Sequence, residues 1–148
     1  MTLQLFAPCP VEMQCECWEV RHEIYCVKLG WEPTAQDEQD ARSLHVLVQE
    51  DGKPVATTRV TPLTLNARVA ELGRTAMSDS CKDRARARAL LVEGVKQIVR
   101  QLKIEHCISF MEDRMIRLER RYGFVWEKVG PTVEHRGLRS FAYMRAPE

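Results

Sequence analysis

The sequence predicts an α/β (α+β) domain built on a mixed sheet, and three observations carry that expectation. Segments with strand patterning alternate with segments of helical period, in the order helix, hairpin, strand, helix, strand, helix, strand pair. At 148 residues the chain is long enough for one substantial core and too short for two. Hydrophobic residues make up 45% and charged residues 29%, the balance of a soluble globular chain rather than a disordered or membrane one. A single domain spanning 1–148 is expected, since no repeat, linker or low-complexity stretch divides it.

Pro8 and Pro10 read as the end of an irregular start. From Val11 to about Lys28, the positions of Val11, Met13, Trp18, Val20, Ile24, Tyr25 and Val27 fit a helix with a broad buried face. "LGWEPTAQDEQDARS" (29–43) is a polar loop, and "LHVLVQEDGKPVATTRVTPL" reads as strand, tight Asp-Gly turn, strand. A strand is expected over Arg68–Met77. A helix follows over Arg84–Leu102, with Leu91, Val95, Ile98, Val99 and Leu102 facing inward. Then come a strand at 104–111 and a helix at 112–124 closed by Gly123. Two last strands, near 125–129 and 140–144, flank the turn-rich "GPTVEHRGLR".

Charge narrows the function. Lys and Arg number 22 against 21 Asp and Glu, so a dedicated nucleic-acid binder with a basic face is disfavoured, and any basic site must be local. No apolar run approaches a membrane span, and the N-terminus lacks a basic segment followed by an apolar core, so a cytoplasmic protein without a membrane partner is expected. The six cysteines contain no C-x-x-C pair, and His22, His45, His106 and His135 fall at no ligand-like spacing. Reduced, partly buried thiols and no metal are the expectation. Cys81 beside Lys82 is a nucleophile candidate without a matched base.

One local basic site does stand out. In "AELGRTAMSDSCKDRARARALL" (70–91) a strand passes through a short polar loop into a helix that opens with Lys82, Arg84, Arg86 and Arg88. Free backbone N–H groups and the positive end of the helix dipole make such a mouth an anion site. The small Ala85 and Ala87 allow close backbone approach. A solvated helix face and a nucleic-acid patch are the competing readings.

The run "KDRARA" (82–87) resembles the Q/R-x-x-G-x-G/A loop with which the GNAT acyltransferase superfamily holds coenzyme A or phosphopantetheine. Lys82 stands at the Q/R place, Ala85 at the first Gly and Ala87 at the second, with Asp83, Arg84 and Arg86 between them. Residues upstream are similar to the acyl-homoserine-lactone (autoinducer, quorum-sensing) synthases and N-acyl amino acid synthases. These are Arg21, Tyr25 and Trp31, the pair Asp37 and Asp40, an R-x-x-P at Arg59 and Pro62, and an E-x-S-R-like Glu71–Leu72–Gly73–Arg74. "MEDRMIRLERRYGF" resembles the family's Met-Glu-Arg helix and closing Gly. The likeness runs from about Arg21 to Gly130. The chain is shorter than those synthases between Arg59 and Glu71, where they carry acyl- and substrate-contacting residues.

The resemblance implies a GNAT-like sheet, mostly antiparallel, with helices on both faces and a strand at Glu71–Met77 that splays from its neighbour. It implies that an amide of this strand polarises a thioester carbonyl and that amides near Thr75, Ala76 and Met77 pair with the pantetheine arm. Glu71 becomes the candidate general base, with Arg74 beside it as a catalytic candidate, and a salt bridge from Glu71 to Arg74, Arg21 or Arg59 is its structural alternative. Arg21, Trp31, Asp37, Asp40 and Arg59 would surround an amino-acid-like acceptor, arginines facing its carboxylate and acids its ammonium. The donor would be acyl-CoA or an acyl-acyl-carrier-protein, with an acidic carrier protein steered by exposed Arg84, Arg86, Arg88, Arg100 and Lys103. Glu119 stands four residues before Gly123, where many acetyl-CoA-dependent GNAT enzymes carry a thiolate-protonating Tyr. An acetyl-CoA-dependent N-acetyltransferase and a non-catalytic acyl-thioester or nucleic-acid-binding module are the alternatives. Alternating side chains put Glu71 and Arg74 on opposite faces of a regular strand, so both reach one site only if the ladder breaks between Glu71 and Met77.

Overall fold

The computed structural model describes residues 2–63 and 68–148, and its strands form one eight-stranded sheet. The first strand, β1 (Leu3–Phe6), lies in the stretch expected to be irregular, and it pairs antiparallel with β2 (Leu44–Glu50) as Leu3↔Glu50 through Phe6↔Leu47. Four residues are too few to show an alternation convincingly, so only a partner strand reveals them. β2 returns as β3 (Lys53–Pro62) through Asp51 and Gly52, both at positive φ (52° and 80°), the conformation that an Asp-Gly hairpin turn requires. β4 (Val69–Met77) continues the antiparallel run, and β5 (His106–Glu112) joins β4 in the one parallel pairing among the described residues. Residues 64–67, within the shortened stretch between Arg59 and Glu71, lie outside the described part.

β8 (Leu138–Arg145) pairs with β5 along its length, from His106↔Arg145 to Glu112↔Arg139. The short β6 (Glu127–Lys128) and β7 (Val133–Glu134) both pair with β8. The expected strand at 125–129 thus shrinks to two residues, and the turn-rich segment holds a strand of its own. Phe124 and Trp126 are drawn into the core at 2% and 3% exposure, which leaves little of that stretch available for a ladder.

The first helical region is composite. A 3₁₀ turn (Val11–Met13) leads into α1 (Gln14–Arg21), which continues through His22–Lys28 with wider i→i+5 bonding such as Leu29 N–H to the Ile24 carbonyl. Two apolar positions read as buried are instead exposed: Val11 at 79% and Val27 at 69%. The widened turn rotates the end of the segment away from the face that Cys17 and Val20 bury. α1 covers the sheet face carrying Leu47 and His45, with Trp18 against His45 at 4.9 Å.

The opposite face is covered by α2 (Arg84–Gln101) and α3 (Asp113–Glu119), the latter ending in a 3₁₀ turn and Gly123 at φ 89°. Leu91, Val95, Ile98 and Val99 of α2 join Val46, Val48, Ala56 and Val60 in the main core. α2 sits close to β2 at Gly94, where a Cβ would stand 2.6 Å from Val46 Cγ1. None of the described helices is long and apolar enough to cross a membrane.

Candidate functional site

The sheet divides between β4 and β5. Their parallel pairing covers only Val69↔His106, Ala70↔Cys107 and Glu71↔Ile108. Beyond that point β4 stays on β3 as far as Met77↔Ala56, while β5 stays on β8 as far as Glu112↔Arg139. The facing edges of residues 72–77 and 109–112 therefore carry no ladder. At the apex, Ser109 Oγ donates to the Leu72 carbonyl at 2.8 Å. The splay implied by the resemblance is present, and unpaired backbone at the C-terminal ends of parallel strands is where a ligand meets free amides.

The break in the β4 ladder falls where it was expected. Thr57 pairs with Ala76 and Arg59 with Gly73, so Arg74 and Thr75 together oppose Thr58. Arg74 adopts φ 52°, the left-handed region that non-glycine residues rarely enter. The bulge re-aims it: its guanidinium reaches Glu32 at 3.1 Å and Asp37 at 3.1 Å. Tyr25 fixes the same bulge by donating its hydroxyl to the Thr75 carbonyl, and burial pushes its phenol pKa up.

Arg74 is one link of a connected network. Arg21 binds Asp40 through two bonds, 2.9 and 3.1 Å. Arg59 bridges Asp37 at 2.7 Å and Asp40 at 3.0 Å, and the Asp37 amide donates to Asp40 at 2.9 Å. At the outer end Arg136 binds Glu32 at 3.1 Å and the Trp31 carbonyl at 2.9 Å. Four guanidinium groups thus hold three carboxylates. Burial alone would raise the Asp40 carboxyl, but the Arg21 bond, the Asp37 amide and Arg59 outweigh it and bring it to about 2. At Asp37 burial is likewise overcome by Arg59, and at Glu32 the Arg74 bond leads a similar lowering. Exposure is graded, from 2% at Arg21 to 30% at the Arg74 side chain, so the inner half is buried and the outer half meets solvent. Arg21, Asp37, Asp40, Arg59 and Arg74 are brought together as the resemblance implied. Trp31 lies at the rim, stacked on Tyr25 at 6.4 Å between ring centroids.

Glu71 stands apart from them. It shares the face of Gly73 and Arg59 by alternation, beside the apex of the fork, yet among the described residues it makes no ion pair or side-chain hydrogen bond. The salt-bridge alternative to Arg74, Arg21 or Arg59 is therefore corrected: Asp37, Asp40 and Glu32 occupy those guanidinium groups instead. Next to Glu71, a Cβ added at Gly73 would meet nothing within 4 Å, so open space adjoins it.

The mouth of α2 opens at the same end of the fork. Its amides are partly occupied by the chain's own acids. The Asp83 side chain caps the helix by accepting from the Arg86 amide, and the Glu50 carboxylate accepts from the amides of Lys82 (3.0 Å) and Asp83 (3.2 Å). Asp83 therefore closes the helix end rather than leaving it bare. Arg84 reaches back to the Ser78 carbonyl at 3.0 Å and braces the loop. Lys82, Ala85 and Arg86 are exposed, and Ala87 is buried against the core. Thr75 is exposed, whereas Ala76 and Met77 turn into the core with only their backbone edge on the fork. Cys81 is buried beside Glu50 and burial raises its thiol, so it is no activated nucleophile. Among the described residues no group of three or more His, Cys, Asp or Glu side chains is placed to hold a metal ion.

Four participants went unnoticed in the sequence: Glu32, Glu50, Arg136 and Arg139. Glu32 and Arg136 lie 104 residues apart and form one ion pair, a proximity no local pattern signals. Arg139 lies over the Trp31 ring with its Cζ 5.7 Å from the centroid.

No family model matches the chain, and no curated protein matches it in sequence. Solved structures do share its fold. An acyl-CoA N-acyltransferase from Pseudomonas aeruginosa superposes with a TM-score of 0.76 at 15% identity, over 96% of this chain and 99% of that one. BjaI, a CoA-dependent acyl-homoserine lactone synthase solved with SAM and isopentyl-CoA, gives 0.75 at 16%, over 97% of this chain and 82% of its own. The AHL synthase LasI gives 0.72 at 16%, over 99% and 89%. The fold is that of the GNAT acyltransferases, and its likeness to the autoinducer synthases extends across nearly the whole chain.

Proposed function

We propose that this protein is an N-acyltransferase that moves an acyl group from an acyl thioester, on coenzyme A or acyl carrier protein, to the amine of an amino-acid-like acceptor. The observation that carries the reading is the fork between β4 and β5, with a bulge at Arg74 and Thr75 on one arm and a basic helix mouth at its open end. The pantetheine arm would lie along the unpaired edge of β4 at Thr75–Met77, its phosphate towards Lys82, Arg86 and the exposed Ala85 turn. An amide of that edge would receive the negative charge that develops on the thioester oxygen. Glu71 would take a proton from the acceptor's ammonium; the freed amine would attack the carbonyl carbon, forming a C–N bond, and as the C–S bond breaks the second proton lost by that nitrogen would pass to the sulfur, which leaves as a thiol. The network around Asp37 and Asp40 supports this reading by holding the Trp31–Gln39 loop against the bulge.

The test is thiol release from acetyl-CoA, octanoyl-CoA and octanoyl-acyl-carrier-protein with a pool of amino acids, the products identified by mass spectrometry. Amide products from a long-chain donor are expected, and Glu71→Gln is expected to lower turnover by about 10²-fold while thioester affinity is preserved. Acetyl products alone would select the N-acetyltransferase alternative. Thioester binding without thiol release would make the protein a non-catalytic binding module, and full turnover in Glu71→Gln would remove Glu71 as the base.

A further inference from the structure

Arg139 is a half-buried guanidinium whose ion pair, to Glu112, is long and carries no hydrogen bond. Its side chain is 18% exposed, and its nearest acid, Glu112, stands 3.8 Å away, too far for a hydrogen bond. The other Glu112 oxygen is taken by Arg114 at 2.7 Å. Arg139 Nε donates to the Arg136 carbonyl at 3.3 Å, and among the described residues its two terminal nitrogens donate to nothing. A guanidinium whose one acid neighbour among the described residues stands at 3.8 Å, without a hydrogen bond, keeps its two terminal nitrogens free to donate to an anionic ligand.

The surroundings fix where that ligand would lie. Arg136 and Arg139 both stand over the Trp31 ring, 5.2 and 5.7 Å from its centroid. Arg139 pairs with Glu112 at the far end of β5, on the sheet face that also carries Phe110 and Phe141 and, across the fork, Gly73 and Glu71. From Ile108, opposite Glu71, to Glu112 is four residues, roughly 13 Å of strand. Arg and Glu side chains extending from the two ends reduce that span to the size of a small amino acid. The deeper arginines offer no comparable site, because Arg21 and Arg59 are already bound by Asp37 and Asp40.

We propose that Arg139, assisted by Arg136, anchors the acceptor's carboxylate over Trp31, so that its amine is directed down the fork towards Glu71. This assignment rests on the acyltransferase reading. It moves carboxylate recognition from the buried arginines to the β7–β8 turn and the start of β8.

Isothermal titration with N-octanoylglycine, N-octanoylglycinamide and octanoyl-CoA tests it. The unmodified protein is expected to bind the acid at least about tenfold tighter than the amide, the scale of one lost charge-assisted hydrogen bond. Arg139→Gln should remove that preference and leave octanoyl-CoA affinity within about twofold; Arg139→Lys should restore part of it, and Arg136→Gln should reduce it by a smaller factor. Melting temperatures of the variants check that each is folded. Equal binding of acid and amide, binding of neither, or a preference that survives Arg139→Gln would overturn the proposal. So would a loss confined to octanoyl-CoA, which would make the anion a donor phosphate. If octanoyl-CoA fails to bind while the acid preference holds and depends on Arg139, the acyltransferase reading falls and the anion site stands.

Discussion

Two groups of arginines flank the fork, and they are built in opposite ways. Arg21, Arg59 and Arg74 come from three separate elements and meet Asp37, Asp40 and Glu32, with Arg21 only 2% exposed. Arg84 and Arg86 come from the first turn of one helix, are exposed, and stand where Asp83 and Glu50 occupy several of the helix-mouth amides. In the first group arginine acts as a buried scaffold whose charge is cancelled locally. In the second its charge remains available to solvent and ligand. The same residue type therefore marks rigidity in one place and electrostatic reach in the other, and the difference lies in whether acids approach it from across the fold.

The largest effect should come from breaking the scaffold. Asp40→Ala leaves Arg21 buried without its bidentate partner and is expected to cost about 3–5 kcal/mol in urea unfolding, whereas Arg86→Ala should stay within about 0.5 kcal/mol. Similar losses from the two substitutions would abolish the distinction.

Titrating the scaffold sharpens it. The folded Asp40 carboxyl lies at about 2, below its ordinary value of 3.8, so its contribution is present above the unfolded pKa and lost as pH falls through the folded one. Stability should decline by about 2 kcal/mol between pH 4 and pH 2, and in an Arg21→Met background that particular slope should flatten. An unchanged slope would place the acid sensitivity elsewhere.

Glu119 supplies the contrasting case of a half-buried acid with no arginine bonded to it among the described residues. Burial pushes its pKa up to about 7 against the opposing Trp126 hydrogen bond and the nearby Arg88. The folded state therefore holds a proton that the unfolded chain releases from about pH 4.5, and stability should fall as pH rises through that window to about 7. Glu119→Gln should accordingly stabilise by about 2 kcal/mol at pH 8 and by little at pH 4. A pH-independent effect would contradict the half-buried, protonated carboxyl.

The smallest effects belong to the helix mouth. Removing the charge of Asp83 with Asn keeps the cap, and is expected to tighten octanoyl-CoA binding about two- to fivefold at low salt. Lys82→Ala with Arg86→Ala should weaken it by a similar factor, and about 0.5 M salt should erase both changes. Calorimetric affinities that ignore both substitutions would return these side chains to a solvated face.

The central elements of the fold were legible because their signals are local. The Asp-Gly hairpin, the apolar stripe of α2 and the glycine that closes the third helix each follow from residues within a few positions of one another. β1, β6 and β7 were missed or misplaced because two to four residues carry no period of their own and exist only by pairing with β2 or β8. Of the site, Arg21, Asp37, Asp40, Arg59 and Arg74 were found together through the spacing of a family pattern. Their bonding was not: which acid neutralises which arginine depends on the bulge at Arg74 and on loop contacts spanning 19 to 42 residues.

The sequence by itself determined the alternation of strand and helix, the glycine that closes α3 and the identity of the charged residues at the fork, because propensity, period and turn chemistry act over short distances. Tertiary structure alone decided that Glu71 makes no ion pair among the described residues and stands beside open space, that Glu50 covers part of the basic mouth, and that Arg139, over Trp31, meets Glu112 only at 3.8 Å. Electrostatic pairing is settled by proximity in space, and distant segments come into proximity only when the sheet brings its edges together.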